Sequence, residues 1–277
     1  MAIVITGATG NVGRPLVADL VRVGAEVRAL SRQPGSAGLP VGVQVTSAVE
    51  EALSGASAVF LNSRALGAQL GDVVRYAAAA GVDKLVALSA INADDDFARQ
   101  PSRFRGDRNR EVEELAVASG LRWVSLRPSV FVTNFAGMWG GQVRAGDVVA
   151  GPYADASSAP IVESDIAAVA ALALLTDDLD GQRIPLTGPE SLTNTDMVAA
   201  LGAVLGRPLR YQEVPTDLVR SRFIEIGFPA EFADAYIAMQ ADSVDRPALV
   251  THEVEKLLGR PAQSFTQWLS AHTELFN

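Results

Sequence analysis

A glycine-rich segment near the start of the chain is the feature that most limits the possible folds. Residues 5–13 read ITGATGNVG, between a short apolar run at 2–5 and a segment at 12–23 whose apolar residues recur at helical spacing. A strand, a glycine turn and a helix in this order predict the phosphate-binding unit of a Rossmann-type fold.

Each glycine of this turn has a physical reason to be there. Gly7 allows a sharp exit from the strand, Gly10 lets the backbone approach a pyrophosphate, and Gly13 lets the helix pack closely on the strand. The helix start also offers free N–H groups and partial positive charge to an anion. The predicted cofactor contacts in the turn are Gly7, Thr9, Gly10, Asn11, Val12 and Gly13. A glycine-rich turn that binds no ligand is the alternative.

The end of the second predicted strand, residues 26–30, indicates which dinucleotide is bound. NAD-specific sites place Asp or Glu there for the ribose hydroxyls, and this chain has neither at that strand end. Arg32 follows instead, and a guanidinium can stack on adenine and pair with a 2′-phosphate. The sequence therefore predicts NADPH (NADP) in preference to NADH, with a solvated surface arginine as the alternative.

The order of predicted elements indicates the fold class. Short apolar strands alternate with helices through residue 126, which predicts an α/β fold with a Rossmann-type parallel sheet covered on both faces. After residue 189 the pattern is mostly helical. We therefore predict an NAD(P)-binding Rossmann domain over 1–189 and a smaller C-terminal substrate domain over 190–277, with some exchange of segment 135–165. Residues 137–158, rich in Gly, Ala and Ser, are predicted to be a mobile loop or lid.

Composition excludes several kinds of chemistry. The chain has no cysteine and only two histidines, which excludes thiolate catalysis and a histidine-rich metal centre, so no metal is predicted. A net charge of −9 disfavours nucleic-acid binding. With no secretory signal and no apolar run long enough for a bilayer, we expect a cytoplasmic monomer or homodimer that binds a small-molecule substrate and no membrane. Frequent arginine and alanine suggest a GC-rich bacterial genome.

Several motifs together resemble those of a known family. In order along the chain they are ITGATGNVGRPLV, ALSRQP, SGLRWVSLRPSVFVTNF, SDIAAVAALAL and LTGPESLTNTDMVAAL. Over nearly its whole length the chain resembles the NmrA-like group of atypical short-chain dehydrogenases/reductases, which includes NAD(P)H:quinone reductases, triphenylmethane reductase and cofactor-sensing regulators. The resemblance implies a Rossmann core, a small substrate domain and an active cleft between them. This chain departs from the group by lacking an aspartate after the third strand, where relatives contact adenine.

The usual catalytic pair of short-chain dehydrogenases is missing. Those enzymes use a tyrosine and a lysine four residues later, which lowers the tyrosine pKa. The residues four positions after the four tyrosines here are Ala80, Ser157, Pro215 and Gln240. We therefore expect an oxidoreductase that transfers hydride from NADPH to a planar quinone-, enone- or ketone-like molecule without this pair. A non-catalytic NADP(H)-sensing regulator, or an epimerase, isomerase or cyclase of small-molecule biosynthesis, stays open.

The remaining candidate residues follow the fifth and sixth predicted strands. Ser89 is expected to face the nicotinamide, and Asn134 matches the asparagine of the family, so these are the predicted catalytic candidates. The alternatives are a serine hydroxyl bound to local backbone and a turn-capping asparagine. The predicted substrate pocket consists of Phe131, Phe135, Met138 and Trp139, for which core packing is the alternative.

Overall fold

The computed structural model describes residues 2–277, which form two compact units that are interleaved along the chain. In the described part of the chain, the first unit contains 2–93, 106–128 and 163–185. The second unit contains 94–105, 129–162 and 186–277. Its last segment thus begins close to the predicted boundary at residue 190. The second unit also includes 94–105, which the sequence assigned to the first domain, and most of segment 135–165, which was predicted to exchange.

The first unit is built on a seven-stranded sheet. Its strands are β1 (Ala2–Thr6), β2 (Glu26–Leu30), β3 (Gln44–Thr46), β4 (Ala56–Asn62), β5 (Lys84–Leu88), β6 (Arg122–Pro128) and β9 (Gln182–Leu186). Their order in the sheet is β3-β2-β1-β4-β5-β6-β9. The register is parallel for the five pairs β2–β3, β1–β2, β1–β4, β4–β5 and β5–β6. Every residue of β1 and β5 is buried, because helices cover both faces of the sheet.

The helices of the first unit bury apolar faces against this sheet. They are α1 (Gly13–Arg22), α2 (Val49–Leu53), α3 (Ser63–Leu66), α4 (Leu70–Ala79), α5 (Asn109–Ala118) and α7 (Glu163–Leu175). Leu16, Val17 and Leu20 form the buried face of α1. Helix α7 is buried along most of its length and packs on α1 and on the central strands β4, β5 and β6. The first helix is therefore held firmly behind the glycine turn.

The second unit is mostly helical, with two small sheets. Its helices are α6 (Val132–Ala145), α8 (Asn194–Leu205), α9 (Thr216–Glu225), α10 (Ala230–Ala241), α11 (Glu253–Leu258) and α12 (Phe265–Ala271). Strands β7 (Val148–Gly151) and β11 (Arg210–Glu213) pair in parallel, and β8 (Ser157–Ser158) pairs antiparallel with β10 (Leu192–Thr193). Aromatic and aliphatic residues of α6, α8 and α12 share one core.

The prediction of a mobile loop over 137–158 is wrong for most of that segment. Helix α6 continues to Ala145, and strand β7 follows almost at once. Phe135, Trp139 and Val143 recur every four residues and are all buried on one face of α6. Their burial outweighs the poor helix propensity of the three intervening glycines.

A membrane-spanning helix is not found in the described chain: within residues 2–277, no helix is both long enough and apolar enough to cross a bilayer.

Candidate functional site

The glycine turn lies where the strand order reverses. Successive strands run outward from β1 on one side and from β4 on the other, and open α/β sheets bind ligands at the carboxyl ends of the strands at this point. Gly7 directly follows β1, and Asn62 ends β4. A Cβ atom on Gly7 would lie 3.0 Å from Nδ2 of Asn62, so the two strand ends are in close contact.

The backbone of the turn requires two of its three glycines. Gly7 has φ +68°, a left-handed conformation that side chains rarely adopt. A Cβ atom on Gly13 would lie 2.1 Å from the carbonyl oxygen of Gly7 and 2.7 Å from Cα of Ala8. Gly10 closes the turn, since its N–H donates to the Gly7 carbonyl at 3.0 Å. The structure thus gives Gly7 and Gly13 the steric roles expected of them.

The start of α1 leaves hydrogen-bond donors without partners. Val12 occupies the N-cap position with no capping side-chain bond, and the first turn holds no acidic residue. Within residues 2–277, no hydrogen bond engages the backbone N–H of Val12 or of Gly13, although both residues are buried. Thr9 and Asn11 are exposed beside them. Unpaired amides at a helix start, next to a closely folded glycine turn, fit a bound pyrophosphate.

Two arginines supply positive charge near this turn. Arg32 is exposed just beyond β2, and its guanidinium has no hydrogen bond or ion pair with any residue in 2–277. Arg14 was not predicted. Its guanidinium donates to the carbonyl oxygens of Thr9 at 3.1 Å, Ala37 at 3.2 Å and Gly38 at 2.9 Å. These bonds join the turn to the segment after β2. Because all three acceptors are neutral carbonyl oxygens, they do not balance the positive charge of Arg14.

Polar residues at the ends of β1 and β4 also escaped the sequence analysis. The Thr6 hydroxyl donates to the Phe60 carbonyl at 2.9 Å and accepts from the Asn62 N–H at 2.7 Å. The Ser63 hydroxyl accepts from the Arg108 N–H at 2.9 Å. The available signal was their position directly after apolar strands, where the carboxyl ends of parallel strands meet at one sheet edge.

Ser89 lies at the carboxyl end of β5, as predicted, but its hydroxyl is already engaged. It is buried, and its Oγ donates to the carbonyl oxygen of Asn109 at 2.8 Å. This bond joins the end of β5 to the first residue of α5, 20 positions away, so the hydroxyl binds a backbone carbonyl that is distant in sequence and not local as the alternative had it. A catalytic role for Ser89 stays a prediction.

An ion-pair network centred on the buried Glu113 lies in the first unit, on α5 and strands β6 and β9. Glu113 accepts from the Ser125 hydroxyl at 2.5 Å, from Arg127 at 2.6 and 2.8 Å and from Arg183 at 2.5 Å. Burial alone would raise the Glu113 pKa, but the hydrogen bonds from Arg127, Ser125 and Arg183 outweigh it and lower the pKa to about 2. Glu113 is therefore an ionised structural residue.

The predicted substrate residues lie together at the start of α6. Phe131 and Met138 are half-buried, and Asn134 is exposed. Phe135 and Trp139 are buried, with their ring centroids 4.8 Å apart. Asn134 lies in the first turn of the helix, whereas the N-cap is Phe131, so the capping alternative for Asn134 is wrong. The pocket and catalytic assignments of these residues stay predictions.

The fold and the glycine turn define a Rossmann-type α/β protein. The sequence profile of the NmrA-like family matches residues 1–246. The chain belongs to the NmrA-like family.

Three known proteins are similar to this chain over nearly its whole length. A Streptomyces griseus protein named (4-alkanoyl-5-oxo-2,5-dihydrofuran-3-yl)methyl phosphate reductase is 35% identical, with 99% of each chain covered. An NAD(P)H azoreductase of Xenophilus azovorans is 30% identical, again with 99% of each chain covered. A crystal structure of the Escherichia coli quinone oxidoreductase QOR2 complexed with NADPH covers 100% of both chains with a TM-score of 0.83, at 22% identity.

These comparisons confirm the predicted family and the predicted Rossmann-type fold. The names of the first two relatives also agree with the prediction of an NAD(P)H-dependent oxidoreductase. The likeness to the crystal structure, at 22% identity, bears on the fold alone.

Proposed function

We propose that this chain is an NADPH-dependent reductase that transfers hydride to a planar quinone-, enone- or ketone-like small molecule. The observation that carries the proposal is the glycine turn at the strand-order reversal, with the unpaired N–H groups of Val12 and Gly13 at the start of α1. When bound, the dinucleotide supplies the hydride. The protein contributes the binding, the orientation and the shape of the site.

The residues of the first unit have distinct binding roles in this proposal. The amides of the turn hold the pyrophosphate, and Gly13 keeps the helix close enough for them to converge. The open guanidinium of Arg32 pairs with the 2′-phosphate, which selects NADPH over NADH. Arg14 adds positive charge and holds the loop at Ala37 and Gly38 against the turn.

The substrate class is supported by the missing acid catalyst and by the relatives. Without a Tyr-x-x-x-Lys pair, and with the Ser89 hydroxyl bound to a backbone carbonyl, the chain suits acceptors that take hydride with little proton assistance. By their names, the relatives act on an alkanoyl dihydrofuranone phosphate and on azo compounds. Both are conjugated and electron-poor, in keeping with a planar quinone- or enone-like acceptor.

Calorimetric titration with NADPH and NADH, combined with a turnover assay, tests the proposal. The wild type is expected to bind NADPH more tightly than NADH. Arg32→Ala should weaken NADPH binding by about 10- to 100-fold, since a hydrogen-bonded charge pair contributes about 1.5–3 kcal/mol, and should leave NADH binding unchanged. Arg32→Lys, which keeps the charge and loses the planar fork, should fall between the two.

Turnover is read as NADPH oxidation with a panel of quinones, enones and ketones. Oxidation by at least one member is expected. Failure to bind either dinucleotide would refute the cofactor assignment, and binding without oxidation by any member would refute the reductase.

One alternative function has a specific observation in its favour. Ser89, the candidate nearest the expected nicotinamide position, has its hydroxyl bound to Asn109, and the usual tyrosine and lysine pair is missing. A cofactor-sensing regulator needs neither group. It would bind NADPH in the titration, oxidise none of it, and retain a protein partner only in the presence of NADPH.

A further inference from the structure

A cavity of about 410 Å³ lies in the second unit, apart from the residues discussed so far. Its lining residues are Tyr153, Glu213, Val214, Pro215 and Thr216. The volume falls within the range of small-molecule pockets, about 300–1,000 Å³. The lining combines an aromatic ring, two apolar residues, a carboxylate and a hydroxyl.

Tyr153 is held in an unfavourable backbone conformation. Its φ is +44°, and no other non-glycine residue within 2–277 has a positive φ. A bulky side chain in this region costs free energy and persists only where the surroundings fix it, which occurs most often at ligand-binding and catalytic positions. The strain therefore calls for a physical explanation.

Hydrogen bonds from buried side chains fix the turn at Tyr153. Asn194 is buried, and its Nδ2 donates to the Tyr153 carbonyl at 2.9 Å and to Oε1 of buried Gln240 at 2.9 Å. On the other side of the turn, the Ala154 N–H donates to Oε2 of Glu213 at 2.7 Å. These bonds hold the Tyr153 backbone and the Glu213 carboxylate in fixed positions.

A second support connects the turn to the aromatic core. The Tyr211 hydroxyl donates to the Pro152 carbonyl at 2.7 Å, and its ring lies 6.4 Å from the ring of Trp139 in an edge-to-face arrangement. Tyr211 reaches Pro152 only because residue 151 is glycine, since a Cβ there would lie 2.2 Å from the Tyr211 hydroxyl oxygen. Trp139, predicted as a pocket wall, thus packs against the tyrosine that supports the turn.

The polar groups of the lining remain open to a ligand. Within residues 2–277, no hydrogen bond engages the Tyr153 hydroxyl, the Thr216 hydroxyl or the second carboxylate oxygen of Glu213. One carboxylate oxygen is committed to the turn, so the other is pre-positioned as an acceptor. A negative charge at a fixed place attracts hydrogen-bond donors and repels anions.

We propose that this cavity binds a neutral aromatic or quinonoid ring that carries a hydrogen-bond donor, and that Tyr153 and Glu213 determine specificity. Tyr153 stacks on a neutral aromatic or quinonoid ring, and Glu213 accepts a hydrogen bond from a hydroxyl or amine on that ring. Anionic rings bind poorly, because the Glu213 carboxylate faces them.

Three fluorescent probes of the same ring size test the site in the full-length, NADPH-loaded protein. These are 2-naphthol, which is neutral and donates a hydrogen bond, 2-methoxynaphthalene, which is neutral and does not, and 2-naphthalenesulfonate, which is an anion. The expected order of affinity, from tightest to weakest, is 2-naphthol, 2-methoxynaphthalene and 2-naphthalenesulfonate. Because 2-naphthol donates a hydrogen bond to a charged group, its Kd should be about 10-fold lower than that of 2-methoxynaphthalene.

Two variants separate the contributions of ring and charge. Glu213→Gln keeps an acceptor for the Ala154 N–H, and should weaken naphthol binding about 10-fold while strengthening sulfonate binding. Tyr153→Gly should weaken all three probes about 3- to 10-fold, as expected for the loss of one stacking partner. It should also raise the thermal unfolding midpoint, since glycine relieves the strain at φ +44°. Glu225→Gln, which changes an exposed acid at the end of α9, is the charge control and should change none of these values.

The result that overturns the site is an unchanged naphthol affinity in both Tyr153→Gly and Glu213→Gln. Equal binding of naphthol and sulfonate by the wild type would also overturn it.

Discussion

The Glu113 network makes a quantitative prediction for the acid stability of the first unit. Glu113 is 4% exposed, and the bonds from Arg127, Ser125 and Arg183 lower its pKa from 4.5 to about 2. At about 1.4 kcal/mol per pH unit, this difference corresponds to about 3 kcal/mol of folding free energy. Because the pKa is lower in the folded state, this stability is present above pH 4.5 and is lost as the pH falls towards 2.

Substitution of Glu113 by Gln tests this magnitude. The variant keeps the shape but leaves Arg127 and Arg183 without a carboxylate, so its free energy of unfolding at pH 7 should be lower by about 3 kcal/mol. The stability difference between the wild type and the variant should shrink as the pH falls from 5 to 3, because the Glu113 carboxyl of the unfolded wild type then binds a proton while that of the folded protein stays ionised.

Urea unfolding followed by circular dichroism at pH 7, 5, 4 and 3 measures this difference. Glu114→Gln, which changes the exposed neighbour on α5, is the matched control and should stay within about 0.5 kcal/mol of the wild type. A stability difference for Glu113→Gln that is the same at pH 3 as at pH 7 would refute the reasoning, since the pKa of Glu113 would then be the same in the folded and unfolded states.

Three further substitutions test the turn and the second unit. Gly13→Ala places a Cβ atom 2.1 Å from the Gly7 carbonyl oxygen, and should cost about 1–3 kcal/mol in urea unfolding and weaken NADPH binding at least about 10-fold by calorimetry. Thr193→Ala removes the capping bond from the Asp196 N–H at 3.0 Å, and should lower the free energy of unfolding by about 1 kcal/mol. Unlike Gly13→Ala, it should leave NADPH binding unchanged. Asn194→Ala leaves buried acceptors without their donor, and should cost about 2 kcal/mol by the same urea assay, where a change below 0.5 kcal/mol (about the scatter of surface variants) would contradict it.

Most of the first unit could be predicted from local sequence pattern. Strand β2 begins and ends at the predicted residues 26 and 30, and the helical segment predicted at 12–23 contains α1. Buried parallel strands are short and continuously apolar, and such runs are visible in a single sequence without knowledge of their neighbours.

The second unit was harder to predict because its signals conflict. Helix α6 contains Gly137, Gly140 and Gly141, which favour a loop, and its apolar face became decisive only through burial against α8 and α12. A Cβ atom on Gly140 would lie 3.0 Å from the Leu275 carbonyl oxygen, so a close approach to the distant C-terminus explains that glycine. Contacts across more than a hundred residues leave no local pattern.

The sequence by itself determined the strand, the glycine turn and the helix that carry the predicted cofactor site. Glycine spacing, the strand before it and the helix after it are all local, so residues 5–13 and Arg32 could be proposed without a structure. The tertiary structure decided the rest. It joined Arg14 to Gly38, engaged the Ser89 hydroxyl with Asn109, and held Tyr153 beside Glu213. The physical reason is that these contacts join residues 20 or more positions apart, and their partners are selected by packing.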